Sequence, residues 1–170
     1  MIKFMEYGEN MEKHYIIEVK LDQIVFYLLW KDERFMLIDD KFLFFKGKTE
    51  LHEFINENKL LVDEDVESYD LDSVIDLIPQ LKESEKCNKI LDCWNLFSDM
   101  AQTIGIFFSG DSDDISILYE KIVLGSNIET LKNAEYHPLL TNEENKLLES
   151  VLCDGISIFR KGLLLQVTSS

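Results

Sequence analysis

Between residues 60 and 81, and again between 90 and 120, the chain has no lysine or arginine. Tight binding to nucleic acid or to an anionic lipid surface depends on clustered cations, so both partners are excluded for these stretches. Cysteine is scarce as well. Cys87, Cys93 and Cys153 form an odd set without a Cys-x-x-Cys pair, which excludes a disulfide framework and a structural zinc site. They read as buried, reduced thiols of a cytosolic protein. With 7 Gly and 2 Pro in 170 residues, the chain is neither a flexible linker nor a fibre. No internal repeat argues for a solenoid. The longest apolar run, Ile24 to Trp30, is far short of the ~20 residues that span a membrane. Charges scattered from Met1 to Tyr15 leave no apolar core for a signal peptide, so the expectation is a soluble, cytoplasmic protein.

What is present in quantity is carboxylate. There are 33 acidic against 17 basic residues, a formal net charge of −16. The first cation-free stretch holds Asp63, Glu64, Asp65, Glu67, Asp70, Asp72 and Asp76, and the second includes Asp111, Asp113 and Asp114. Such a surplus opposes compactness by self-repulsion and attracts a basic partner at long range. The expectation is that these carboxylates converge into one landing surface for a cationic protein. Tyr69, inside the first cluster, is the best single candidate for an apolar anchor at its centre.

The order of patterns predicts an α+β domain, an N-terminal antiparallel β-meander followed by a mostly helical half. The division reads as a loose tail over 1–13, one compact domain over 14–162 and a C-terminal tail over 163–170. Within the domain, the sheet occupies 14–62, an acidic loop-like connection 63–80 and the helical part 81–162. Tyr15, Ile17, Val19 and Leu21 alternate as a half-buried strand does, and Ile24 to Trp30 reads as a central strand. Phe35–Ile38 and Phe42–Phe45 follow as short strands around Asp39, Asp40 and Lys41, and Thr49 is placed to cap a helix bearing Leu51, Phe54 and Ile55. In the connection, a short element over Leu71–Ile78 is stopped by Pro79.

Ile90, Trp94, Phe97, Ala101 and Ile104 recur at spacings of four and three, with Gly105 at the expected helix terminus. Asp113 or Asp114 opens another short helix. Thr141-Asn142-Glu143-Glu144 is a capping box, and the helix it starts turns Leu147, Leu148, Val151, Leu152 and Phe159 inward. Gly155 interrupts that helix, where it marks a close approach by a neighbouring element.

Catalytic fingerprints are absent. There is no P-loop, dinucleotide turn or nucleophile elbow, and His14, His52 and His137 are unpaired in spacing. Neighbouring His52 and Glu53 face different directions on a helix. An EF-hand loop laid on Asp111 puts Ser116 at the obligatory Gly and Ile122 at the bidentate Glu, and on Asp63 it puts Ser68 and Val74 there. Neither fits. No cofactor and no catalytic or metal-ligating residue is assigned. A carboxylate-based, metal-dependent hydrolase and an acidic DNA mimic are the alternatives to a protein-capturing surface.

In the helical half, Cys93-Trp94-Asn95-Leu96-Phe97-Ser98-Asp99 is followed by Tyr119-Glu120-Lys121-Ile122 and Leu124-Gly125-Ser126-Asn127. Then come Tyr136-His137-Pro138, the capping box and Gly155-Ile156-Ser157-Ile158-Phe159. This series, with the sheet segment running into Phe44-Phe45 and the helix after it, resembles immunity proteins of bacterial contact-dependent growth inhibition (CDI) systems. The resemblance is to the kind paired with ribonuclease-type toxins and covers about residues 14 to 160. It implies a cytosolic protein without enzymatic activity. That protein would bind the C-terminal nuclease domain of a cognate toxin one to one and cover its active site. The toxin-binding candidates are then Asp63, Glu64, Asp65, Glu67, Tyr69, Asp70, Asp72, Asp111, Asp113 and Asp114.

Overall fold

Strand β1 (His14–Leu21) and strand β2 (Ile24–Lys31) pair antiparallel from Tyr15↔Trp30 to Leu21↔Ile24. A two-residue turn joins them, and both of its residues, Asp22 and Gln23, have positive φ (53° and 63°). Left-handed turns of this kind match the twist of a hairpin, which outweighs the strain on non-glycine residues. Asp32 and Glu33 repeat the device (51° and 61°) before β3 (Arg34–Phe35), which pairs back onto β2. The structure, a computed structural model, describes residues 13–39, 41–127 and 136–167. Apart from Lys13, the expected N-terminal tail lies outside them, as do Asp40 and the last three residues of the expected C-terminal tail.

The described residues divide into two compact units, a sheet unit that runs to Asp70 and also takes in the chain from Leu165, and a helical unit over Leu71–Leu164. In the sheet unit, Ile16, Tyr27 and Leu29 pack with Phe45 and with Leu51 of helix α1 (Lys48–Glu57). On the opposite sheet face Ile17, Val19, Phe26 and Leu28 are buried too. Burial of both faces is why β2 reads as an unbroken apolar run. The strands expected over Phe35–Ile38 and Phe42–Phe45 shrink to two-residue pieces, β4 (Leu37–Ile38) with β5 (Lys41–Phe42), plus a bridge from Phe45 to Tyr27. Thr49 is not the helix cap. The chain is already helical at Lys48, and Gly47, extended at φ −141° and without a capping side chain, holds that place.

The main departure from expectation is the acidic connection. Val62–Asp70 is not a loop but a nine-residue strand, β6, lying parallel to β1 at the end of a four-stranded sheet ordered β3-β2-β1-β6. The sheet is therefore mixed rather than a pure meander, and it extends to Asp70. The physical reason lies in β1. With both its faces buried, its second edge would otherwise hold unpaired backbone groups, and β6 satisfies them. Propensity yields to that demand.

The helical unit opens with a 3-10 turn over Ile75–Gln80. It runs through Pro79 rather than stopping there, and its last residue bonds back from Gln80 Nε2 to the Asp76 carbonyl at 3.0 Å. Helix α2 (Ser84–Ile104) buries Cys87, Ile90, Trp94, Phe97 and Ala101 on one broad face. It ends at Gly105 (φ 70°), where the Ile106 N–H reaches back to the Ala101 carbonyl at 3.0 Å. Two 3-10 turns, Ser109–Asp111 and Asp113–Ile115, lead into α3 (Ser116–Gly125).

Helix α4 (Asn142–Val167) starts on the predicted capping box. The Glu144 N–H bonds Thr141 Oγ1 at 3.1 Å, and the Thr141 N–H bonds Glu144 Oε2 at 2.9 Å. The helix continues past residue 162, so 163–167 are not tail. Leu148, Val151, Leu152 and Phe159 are buried as expected, but Leu147 is 39% exposed. Successive helical residues point about 100° apart, and Leu148 takes the inward direction. Cys87 and Cys93 are buried as expected, whereas Cys153, expected to be buried too, is exposed. Among the described residues, no helix is long and apolar enough to cross a membrane.

Candidate functional site

Strand β6 gathers most of the predicted acids along one sheet edge, and strand geometry then divides them. Alternate residues of a strand face opposite ways. Val66 and Ser68 share the face of their β1 partners Ile16 and Glu18, whereas Glu67 and Tyr69 share that of Ile17 and Val19. Between Tyr15 and Ile16 the pairing jumps from Asp63 to Val66, so Glu64 and Asp65 bulge out of the ladder. The Asp65 N–H closes that bulge on Asp63 Oδ1 at 2.9 Å. The carboxylates thus line an edge and both its faces rather than forming one flat pad.

Lysines from β1 and its approach meet the two ends of this row. Lys13 Nζ lies 2.7 Å from Asp63, and Lys20 Nζ lies 3.8 Å from Asp70. The Lys13 bond, assisted by the Asp65 N–H, holds the Asp63 carboxyl below the usual carboxylate range, and the same bond holds the Lys13 ammonium above its ordinary value. Both side chains are partly exposed, at 31% and 26%, so solvent screening keeps the pair weak. Between these ends, Glu64, Asp65 and Glu67 are exposed and form no ion pair among the described residues. Tyr69, the predicted anchor, is only partly exposed and donates its hydroxyl to Glu67 at 3.0 Å.

Beside β6, on the face of Val66, a groove of about 620 Å³ runs between the strand and α1. Val62, Val66, Ile55 and Leu61 give it apolar walls, and His52, Lys48 and Glu64 stand at its margins.

Asp72, Asp111, Asp113 and Asp114 belong to the helical unit. Asp111 accepts a 2.7 Å bond from Ser98 Oγ, and with Asp113 it lines a polar hollow of about 280 Å³ with Asn95, Ser112, Ser116 and Tyr119. Trp94 forms its floor, donating Nε1–H to the Gly110 carbonyl at 3.2 Å and meeting Tyr119 edge-on at 5.3 Å. Asp114 does not line this hollow. Among the described residues, no three His, Cys, Asp or Glu side chains gather closely enough to hold a metal ion.

Sequence reasoning missed Phe107. It is 75% exposed in the segment just before Asp111, while its neighbour Phe108 is 1% exposed. The signal was available in Gly105-Ile106-Phe107-Phe108, because two adjacent aromatics in extended chain cannot both face inward. Several motif residues act within the fold itself. Asn127 Nδ2 donates to Ser84 Oγ (2.6 Å) and to the carbonyls of Gly125 (3.1 Å) and Tyr136 (3.2 Å), and Asn127 Oδ1 accepts the Tyr136 N–H at 3.1 Å. A Cβ on Gly125 would lie 2.8 Å from both Cys87 Sγ and Pro138 Cδ. The chain matches no protein-family model, no curated protein and no solved structure.

Proposed function

We propose that the chain is an immunity protein that captures the basic nuclease domain of a cognate toxin, one to one, and covers its active site. The observation that carries this reading is the middle of β6, where Glu64, Asp65 and Glu67 project from a sheet edge while the lysines nearby attend to the strand's ends. A nuclease is cationic where it holds phosphates. Carboxylates presented there compete with RNA for the same charges, and long-range attraction speeds the encounter. The CDI-immunity resemblance of the sequence points to the same class of partner.

Protection against a lethal enzyme requires a dissociation constant of about a nanomolar or less, near −12 kcal/mol. Charge supplies the association rate, and slow dissociation requires a desolvated anchor. Phe107, exposed in a segment that leads into Asp111, Asp113 and Asp114, has the character of such an anchor.

The test is to look in the adjacent reading frames for a protein that ends in a nuclease-like domain, whose absence counts against the reading, and to mix that domain with the chain, following association and nuclease turnover. The expected result is a one-to-one complex, loss of turnover, and an association rate that falls steeply with salt. Replacing Glu64, Asp65 and Glu67 together by Ser slows association at least tenfold at low salt and leaves the fold intact. A wild-type chain that leaves turnover untouched, or a triple variant that associates at the wild-type rate, overturns the reading.

A further inference from the structure

We propose that the outer edge of β6 takes up an extended, basic segment of the protein partner as a fifth strand of the sheet. This rests on the capture of a basic partner argued above and specifies how that partner is gripped. In the order β3-β2-β1-β6, the far side of β6 faces no strand among the described residues. Along Asp63–Ser68 its outward N–H and C=O groups are therefore a template for pairing.

Open edges are commonly blunted by lysine, by proline or by a covering element. Asp63 to Ser68 contains no Lys or Pro, and the bulge at Glu64–Asp65 interrupts only its first part. What guards the edge is negative charge. A second copy of the same edge would bring carboxylate against carboxylate, and like charges directly opposite are destabilising. A strand carrying Lys or Arg meets no such barrier. The charge that excludes self-pairing thus selects a cationic occupant.

Side-chain alternation specifies the occupant further. A strand added beside β6 would send alternate residues over the groove, past Val66, Val62 and Ile55. The intervening residues would stand on the other face, beside Glu67. Val66 is 39% exposed and Leu61 48% exposed, so apolar surface is open there for covering. The segment that fits alternates an apolar residue toward the groove with Lys or Arg toward Glu67.

The probe is a blocked eight-residue peptide of alternating Lys and Val, tested on the full chain by titration and by backbone hydrogen exchange. Two isomers accompany it, one N-methylated at every Lys and one at every Val, because each blocks one edge of the peptide without altering its charge. The parent peptide is expected to bind and to slow exchange across Asp63–Ser68 at least tenfold. One isomer should lose at least tenfold in affinity while the other retains it.

If both isomers bind as well as the parent, attraction is by charge alone. Strand addition then falls, while capture of a basic partner stands. A parent peptide that fails to bind a chain which still inhibits the nuclease domain likewise overturns strand addition and leaves capture standing. Failure of both the peptide and the nuclease domain to bind removes both proposals.

Discussion

Gly155 of α4 and Phe97 of α2 occupy one shared volume: a Cβ on Gly155 would lie 2.0 Å from Phe97 Cδ2. Phe97 is fully buried and meets Phe108 edge-on at 6.0 Å, so its ring has little room to retreat. Gly155→Ala should gain about 1 kcal/mol of helix propensity and lose about 1–3 kcal/mol to overpacking. Denaturant unfolding is expected to show a net loss of up to about 2 kcal/mol. Combining it with Phe97→Leu should cost less than the two changes summed, because the smaller side chain vacates the contested space. Strict additivity would show that the two positions do not compete.

Asn127 ties the start of α2 to the end of α3 and to Tyr136 through four hydrogen bonds, from a backbone at φ 52°. Asn127→Asp keeps the shape and the acceptor but removes both N–H donors. It should destabilise the chain by about 1–3 kcal/mol, since partners lose bonds they cannot replace locally. Asn127→Ala loses the tolerance for the left-handed backbone as well and should be worse. Equal stability of wild type and Asn127→Asp in thermal unfolding would remove the clamp.

Glu144 completes the capping box and also receives Lys121 Nζ at 2.6 Å. The Lys121 bond first, and the Thr141 N–H second, hold its carboxyl below the ordinary value of 4.5. Asp63 is lowered likewise, and Lys13 is raised above 10.5. The unfolded carboxylates bind protons at higher pH than the folded ones do. Their contribution is therefore complete above the ordinary carboxylate value and disappears as pH falls through the folded one. The Lys13 contribution is complete below its ordinary value and disappears as pH rises through the raised one. Stability should be level around neutrality and should decline on acidification. Lys121→Met should bring the Glu144 midpoint, followed by carboxyl NMR, back up toward its ordinary value. Thr141→Ala should destabilise the chain by about 1 kcal/mol. A midpoint for Glu144 that ignores Lys121 would contradict this account.

Phe107, at 75% exposure, contributes little to the fold, so Phe107→Ala should unfold at the wild-type temperature. In complex with the nuclease domain its loss should appear in the dissociation rate, by about 2 kcal/mol or some thirtyfold. The Glu64, Asp65 and Glu67 triple variant should act on the association rate instead. Phe107→Ala with unaltered dissociation would place the anchor elsewhere.

The elements that could be read from sequence are those whose own side chains impose the pattern. Alternation marked β1, spacings of four and three marked α2, Thr141 and Glu144 marked the start of α4, and Gly155 announced its neighbour. β6 was illegible because its pairing is a backbone demand made by β1. Of its nine residues only Val62, Val66 and Tyr69 are apolar or aromatic, at spacings of four and three that suggest no strand. Asp and Glu are poor strand formers, and an edge tolerates them because half of each residue stays in water. The acids were therefore legible as a cluster in the chain, but their common strand was not. Tyr69 reads as a loop residue for the same reason, whereas it lies on a strand opposite Val19.

Order of synthesis lends the acidic strand a temporal meaning. The β1–β2 hairpin is local and can zip within about 1–10 μs, but His14 must wait for Val62 before the second edge of β1 is sealed. Last of the sheet's strands to be made, β6 closes it, pairing with β1 from His14↔Val62 to Lys20↔Asp70. A protein gripping its far side would bolt the sheet shut, so the lifetime of the chain in a cell would rise and fall with the supply of its partner.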